Sequence, residues 1–110
     1  MKKLLRKFSS LYTPERNSEF SCLQTAHLNF FDSVLPSSSI VTKDLDKYNT
    51  DYIGTFKGES NLVLMPFNTE QVQAIVKYCN QENLPLSLQS GNTGLVGGSV
   101  PVHDEVILNL

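Results

Sequence analysis

A chain of 110 residues has the length of one small domain, and 40% hydrophobic with 18% charged residues excludes a disordered chain. The formal net charge is −2, and from residue 17 onward only Lys43, Lys47, Lys57 and Lys77 stand against ten acidic side chains, which excludes the basic patch of a nucleic-acid binder. No stretch approaches the roughly 18 apolar residues of a membrane-spanning helix, so no transmembrane segment is expected.

The start of the chain has the opposite charge balance. Lys2, Lys3, Arg6, Lys7 and Arg16 stand against Glu15 alone, and Leu4, Leu5, Phe8, Leu11 and Tyr12 gather on one helical face. A basic, serine-containing amphipathic start has the composition of a mitochondrial transit peptide, and Arg6-Lys7-Phe8-Ser9-Ser10 suits a matrix-protease cut after Phe8. Residues 1–16 are therefore expected to direct the protein to the mitochondrial matrix; the alternative is a surface helix of a cytosolic protein. Residues 17–57 read as a helical and loop lead-in, and residues 58–110 as the main unit.

Within the lead-in, Leu28, Phe31, Val34 and Leu35 predict a short amphipathic helix over 28–35, closed by Pro36, with a turn at Ser37-Ser38-Ser39. Ile40-Val41-Thr42 is expected to be extended, Asp44 to Tyr48 to make a helical turn, and Asn49 to Gly58 to be loop. Cys22 and Cys79 are too few and too far apart for a CxxC or zinc site and read as reduced thiols, Cys79 as a small buried hydrophobe. His27 and His103 have no partner at ligand spacing, so neither is assigned a metal.

The main unit opens with Leu62-Val63-Leu64-Met65, an apolar run of strand length. Asn68-x-x-Gln71 has the form of a capping box, and Val72, Ile75, Val76 and Cys79 follow at helical spacing, so a helix packs one face on a sheet. Leu84, Leu86 and Leu88 alternate with Pro85, Ser87 and Gln89, as in a half-buried strand. The result is a β-α-β unit with parallel strands. Val106 to Leu110 reads as a further strand with no turn or cap after it, the expected end of a truncated domain with an unpaired final edge.

Between these last two strands lies Ser90-Gly91-Asn92-Thr93-Gly94-Leu95-Val96-Gly97-Gly98-Ser99. Glycine reaches φ > 0 and, lacking Cβ, lets a ligand approach the main chain; successive N–H groups in such turns form anion-binding concavities. The spacing is G-x-x-G-x-x-G-G, neither the G-x-G-x-x-G of a Rossmann fingerprint nor a P-loop, and no Lys follows Lys77. A strand-end position suits a cofactor loop of an open α/β sheet. The plainer reading is a glycine-rich turn without a ligand, in which Asn92 and Thr93 cap their own turn. Asp104 and Glu105 read as solvated turn charges.

Taken together, Asn83-Leu84-Pro85-Leu86, Gln89 to Val102 and Asp104 to Leu108, with Val63-Leu64-Met65-Pro66 and Thr69-Glu70-Gln71-Val72 upstream, closely resemble the FAD-linked oxidases of the vanillyl-alcohol oxidase or PCMH type, and within them the branch that oxidises D-2-hydroxyacids. The resemblance reaches back to about Leu28. It implies an α/β (α+β) fold, the first small β-α-β subdomain of a PCMH-type FAD-binding domain, truncated. It also implies that Gly91, Asn92, Thr93, Gly94 and Leu95 offer main-chain donors to the FAD diphosphate. Asn92 and Thr93 would add side-chain bonds, and Gly98 and Ser99 would close the far side. Ser90, also in the site, stands where the family phrase usually has Gly, so either Ser90 takes an ordinary β conformation or the loop binds somewhat less well. His103 replaces a common aromatic ring, a tolerable surface change. The implied activity is oxidation of D-2-hydroxyglutarate to 2-oxoglutarate, with D-lactate as the alternative acid. A divalent metal and the catalytic residues belong in the family to a C-terminal domain, with no ligands in this chain. A non-catalytic nucleotide-binding or interaction module is the remaining alternative.

Overall fold

The computed structural model describes residues 14–92 and 97–110. The expected amphipathic face at Leu4 to Tyr12, and the loop residues Thr93, Gly94 and Leu95, lie outside the described residues.

In chain order the elements are α1 (Thr25–Val34), a 3-10 turn (Ser37–Ser39), β1 (Ile40–Val41), α2 (Asp46–Asn49), β2 (Val63–Leu64), α3 (Thr69–Gln81), β3 (Leu86–Gln89) and β4 (Val106–Asn109). This is the α/β arrangement expected. Its strand order differs from the simplest one: β1-β2-β4-β3, with β1 antiparallel to β2 and the other pairs parallel. The last strand is therefore central rather than an open edge, which corrects the expectation. Val63 pairs with Ile107 on one side of it, and Leu86 to Gln89 pair with Val106 to Asn109 on the other. The physical reason lies in its composition: Val106, Ile107 and Leu108 are an unbroken apolar run, and all three are buried on two covered faces. The amphipathic β3 takes the edge.

Alternation along β3 is also shifted from the expected pattern. Leu84 is buried just before the strand and Leu86 half-buried, but Leu88 is exposed and Gln89 is 2% exposed. At an edge strand the outer apolar position is uncovered, while Gln89 faces the opposite side, where it is roofed by chain from two other segments.

One sheet face carries α1 and α3 over a core of Phe31, Leu35, Leu62, Leu64, Ile75, Cys79, Leu84, Val106 and Leu108. Phe30 and Tyr78 stack between the helices at 3.7 Å, and Phe31 meets Tyr78 edge-on at 5.5 Å. Tyr78 thus takes the place expected of Val76, which is exposed. The opposite face is smaller: Leu45, Val63 and Ile107, with Val41, Tyr48 and Met65 packed against them. Helix α3 starts as the sequence predicts, Asn68 accepting from the Gln71 N–H at 2.9 Å. The reciprocal half of the box moves by one residue, because the Gln71 side chain accepts from Phe67 N rather than from Asn68. Helix α1 starts earlier than expected, at Thr25, where His27 Nδ1 accepts from Gln24 N at 3.0 Å.

Candidate functional site

Parallel strands point their carboxyl ends to one edge of the sheet, and from that edge β3 releases the glycine-rich loop. Gly91 (φ +70), Asn92 (φ +52) and Gly97 (φ +73) all occupy the left-handed region. Ser90 does not, so the departure from glycine at that position carries no backbone strain.

The neck of the loop is tied to α2, a helix of four residues whose last carbonyls have no intrahelical partner. Asn92 Nδ2 donates to Thr50 O at 2.6 Å and to Lys47 O at 3.3 Å, while Gln89 Nε2 donates to Tyr48 O at 2.8 Å and to Ser99 O at 3.1 Å. Ser99 Oγ in turn donates to Asn92 Oδ1 at 2.6 Å, closing the neck across seven residues. Gln89 Oε1 accepts from Asn109 Nδ2 at 3.0 Å, which secures the buried amide to the neighbouring strand. Among the described residues the Asn92 amide group therefore caps a neighbouring segment.

Gly98 and Gly91 are exposed, and a Cβ built on either meets nothing within 4 Å. Among the described residues no acceptor takes the N–H groups of Gly91, Asn92, Gly98 or Ser99. An exposed main chain with free donors and open space above it is what an anionic group needs in order to dock. Gly97 differs: the Phe56 ring lies against it, 2.5 Å from where a Cβ would stand. Just beyond, Gly58 is closed by Pro101, and Glu59 N donates to His103 O at 2.7 Å.

Residues that were not expected to matter supply much of this platform. Asn49 is buried, its Nδ2 donating to Leu45 O and Ser60 O and its Oδ1 accepting from Ser60 N at 2.8 Å. Asp51 is buried as well, with Oδ1 accepting from Phe56 N at 2.9 Å and Oδ2 lacking a partner among the described residues. Their partners are backbone atoms four to eleven residues away, and no sequence pattern marks a backbone atom as a partner.

Two further readings need correction. Asp104 and Glu105 are not freely solvated: Arg16 Nε donates to Asp104 Oδ1 at 2.6 Å, and Glu105 accepts from the N–H groups of Val102 and His103. That carboxylate holds the Arg16 guanidinium above its usual pKa, the direct hydrogen bond being the largest cause. His103 is half-buried rather than a surface residue, with Nε2 enclosed and unpaired among the described residues. These groups line a cleft of about 400 Å³ with Pro14, Phe20, Pro85 and Leu86 at the amino ends of β3 and β4, the opposite edge from the glycine loop. Among the described residues no three His, Cys, Asp or Glu side chains come together as a metal site.

A four-stranded mixed sheet with helices on one face and a glycine-rich loop at its carboxyl edge is the architecture of PCMH-type FAD-binding proteins. The chain superimposes on alkyldihydroxyacetonephosphate synthase with a TM-score of 0.70 at 16% identity, covering 86% of this chain and 20% of that one. On p-cresol methylhydroxylase with substrate bound the TM-score is 0.62 at 25% identity, covering 80% and 19%. Residues 60–110 match the FAD binding domain family. The chain is 45% identical over 109 residues to a probable mitochondrial D-2-hydroxyglutarate dehydrogenase of Oryza sativa subsp. indica, covering 96% of this chain and 19% of that protein. It is 48% identical over 91 residues to the mitochondrial D-2-hydroxyglutarate dehydrogenase of Danio rerio, covering 82% and 17%. The match to the FAD binding domain family thus lies over residues 60–110, and the proteins to which the chain is similar include D-2-hydroxyglutarate dehydrogenases. It spans about a fifth of the length of these curated relatives.

Proposed function

We propose that the loop from Ser90 to Ser99 holds the diphosphate of FAD in a flavin-dependent D-2-hydroxyacid dehydrogenase. The observation that carries this is Gly98. Its φ lies outside the left-handed region and a Cβ there meets nothing, so the fold places no demand for glycine at this position. A glycine without a conformational or packing reason suits close approach of a ligand to the main chain. The N–H groups of Gly91, Asn92, Gly98 and Ser99, which have no acceptor among the described residues, are the donors such a ligand would use. Ser90, Thr93, Gly94 and Leu95 complete the proposed site.

When bound, FAD supplies the two-electron acceptor for oxidation of a D-2-hydroxyacid to the 2-keto acid. The residues of this chain bind and orient it; none is assigned as a catalytic base. The names of the relatives support D-2-hydroxyglutarate as the acid and a mitochondrial location, to which the basic segment before Arg16 would direct the chain. Arg16 itself is built into the folded body through Asp104 and the carbonyls of Phe20 and Ser21, in keeping with a cut well before it, after Phe8.

Titrating the isotope-labelled chain with FAD while following amide resonances tests the loop assignment. Shifts are expected at Gly91, Asn92, Gly98 and Ser99, with affinity in the micromolar range or weaker. Gly98→Val should weaken it by about tenfold or more, a change of 1.4 kcal/mol. A folded Gly98→Val chain that binds FAD like the parent, or shifts that map to the cleft around His103, would refute the assignment.

A further inference from the structure

The family match begins at residue 60, yet the loop is gripped at both described ends by residues before it. At the first end, Asn92 is bonded to the carbonyls of Thr50 and Lys47. At the second, the Phe56 ring abuts Gly97. A short turn joins the two grips. Thr50 bridges to Lys57, Asp51 N donates to Phe56 O at 3.1 Å, Gly54 N donates to Asp51 O at 3.0 Å, and Gly54 takes φ +83. Within it the buried Asp51 carboxylate accepts from Phe56 N, fixing the backbone that carries the ring.

We propose that Asp51 and Phe56 are positioning residues for the diphosphate loop, acting through Gly97 on the N–H groups of Gly98 and Ser99. This rests on the reading of the loop as the FAD diphosphate site. Phe56 cannot be replaced by a small side chain without opening a gap beside Gly97, because the ring is what the glycine Cα rests on. Phe56 is 40% exposed, so it contributes less to the core than to this contact. Asp51 is the inner support: its Oδ1 bond holds residue 56 in place, and an amide oxygen at the same position would preserve that bond.

The geometry of a binding loop affects affinity, since a hydrogen bond weakens steeply once its distance and angle leave the ordinary range. The test uses the isotope-labelled chain with FAD and, separately, inorganic pyrophosphate as probes, and the thermal midpoint of every sample. Phe56→Ala should lower affinity for both probes by about tenfold or more, the loss of about one hydrogen bond to a charged group, with Phe56→Leu restoring most of it. Asp51→Ala should behave like Phe56→Ala, whereas Asp51→Asn keeps the bond to Phe56 N and should bind like the parent. A purely structural role would move the thermal midpoint and leave the affinity of the folded fraction unchanged. Folded Phe56→Ala that binds both probes like the parent overturns the proposal while leaving the loop assignment intact. A parent chain whose loop amides respond to neither probe overturns the loop assignment, and the positioning role with it.

Discussion

Replacing Gly97 by Ala should destabilise the chain far more than the same change at Gly91, although both glycines lie in the loop and both have positive φ. At Gly91 (φ +70) a Cβ meets nothing within 4 Å, so only the conformational cost applies, about 1–2 kcal/mol. At Gly97 (φ +73) the same cost is joined by steric conflict, with the Cβ 2.5 Å from Phe56 Cδ2 and 3.0 Å from Cγ. Rotating the ring about its Cβ–Cγ axis moves Cδ2 but leaves Cγ in place, so the 3.0 Å contact persists until the whole side chain or the turn at 51–56 shifts. Overpacking of this kind adds about 1–3 kcal/mol, which brings Gly97→Ala to about 2–5 kcal/mol. Urea titration of the parent, both single variants and the Phe56→Ala background measures this directly. In that background the steric part vanishes and Gly97→Ala should fall to about 1–2 kcal/mol, a coupling that a double-mutant cycle isolates. Equal costs for Gly97→Ala and Gly91→Ala in the parent would refute the contact on which the reasoning rests.

Loss of the α3 cap is a second case: Asn68→Ala removes the acceptor for Gln71 N and should cost about 1 kcal/mol by the same titration, with Asn68→Ser close to the parent. For the cysteines, burial pushes the Cys79 thiol up to about 11 from its ordinary 9.0, whereas Cys22 is exposed. A thiol reagent at pH 8 should therefore modify one cysteine promptly and the second only after denaturant is added. Because the folded pKa is the higher one, the contribution of the neutral thiol to stability is complete below about pH 9 and lost as pH rises toward about 11, and the urea midpoint should fall across that window.

Helices were more legible than strand order, and the reasons are physical. Helix α3 carries its start signal within four residues, Asn68 to Gln71, and its buried positions Ile75 and Cys79 recur one turn apart. Local chemistry of that kind is written in adjacent positions. The strand order was legible only in retrospect: the unbroken Val106-Ile107-Leu108 belongs to a strand covered on both faces, and the polar-apolar alternation of β3 belongs to an edge. In the loop, glycine spacing marked the region, but nothing local distinguished Gly97, held by Phe56, from Gly98, held by nothing. That distinction depends on a turn about forty residues earlier. Gln89 was missed for the same reason, since its partners are the carbonyls of Tyr48 and Ser99 and any segment offers carbonyls.

How the loop is fastened bears on what it can do. A loop of this length needs donors and acceptors to hold its shape, and the usual solution spends its own backbone N–H groups on internal turns. Here one described backbone bond closes a turn, Val100 N donating to Gly97 O at 3.4 Å, and the other described anchoring donors are side chains: the Asn92 and Gln89 amides and the Ser99 hydroxyl. Their acceptors include the C-terminal carbonyls of α2, which lack intrahelical partners because the helix is a single turn. One set of bonds therefore ends a helix and shapes a loop together, and it leaves the N–H groups of Gly91, Asn92, Gly98 and Ser99 without an acceptor among the described residues. Replacing Asn92 or Gln89 by an apolar side chain would remove both functions at once. Under the proposed assignment, the binding of an anion by the loop thus depends on side chains that need never touch the anion.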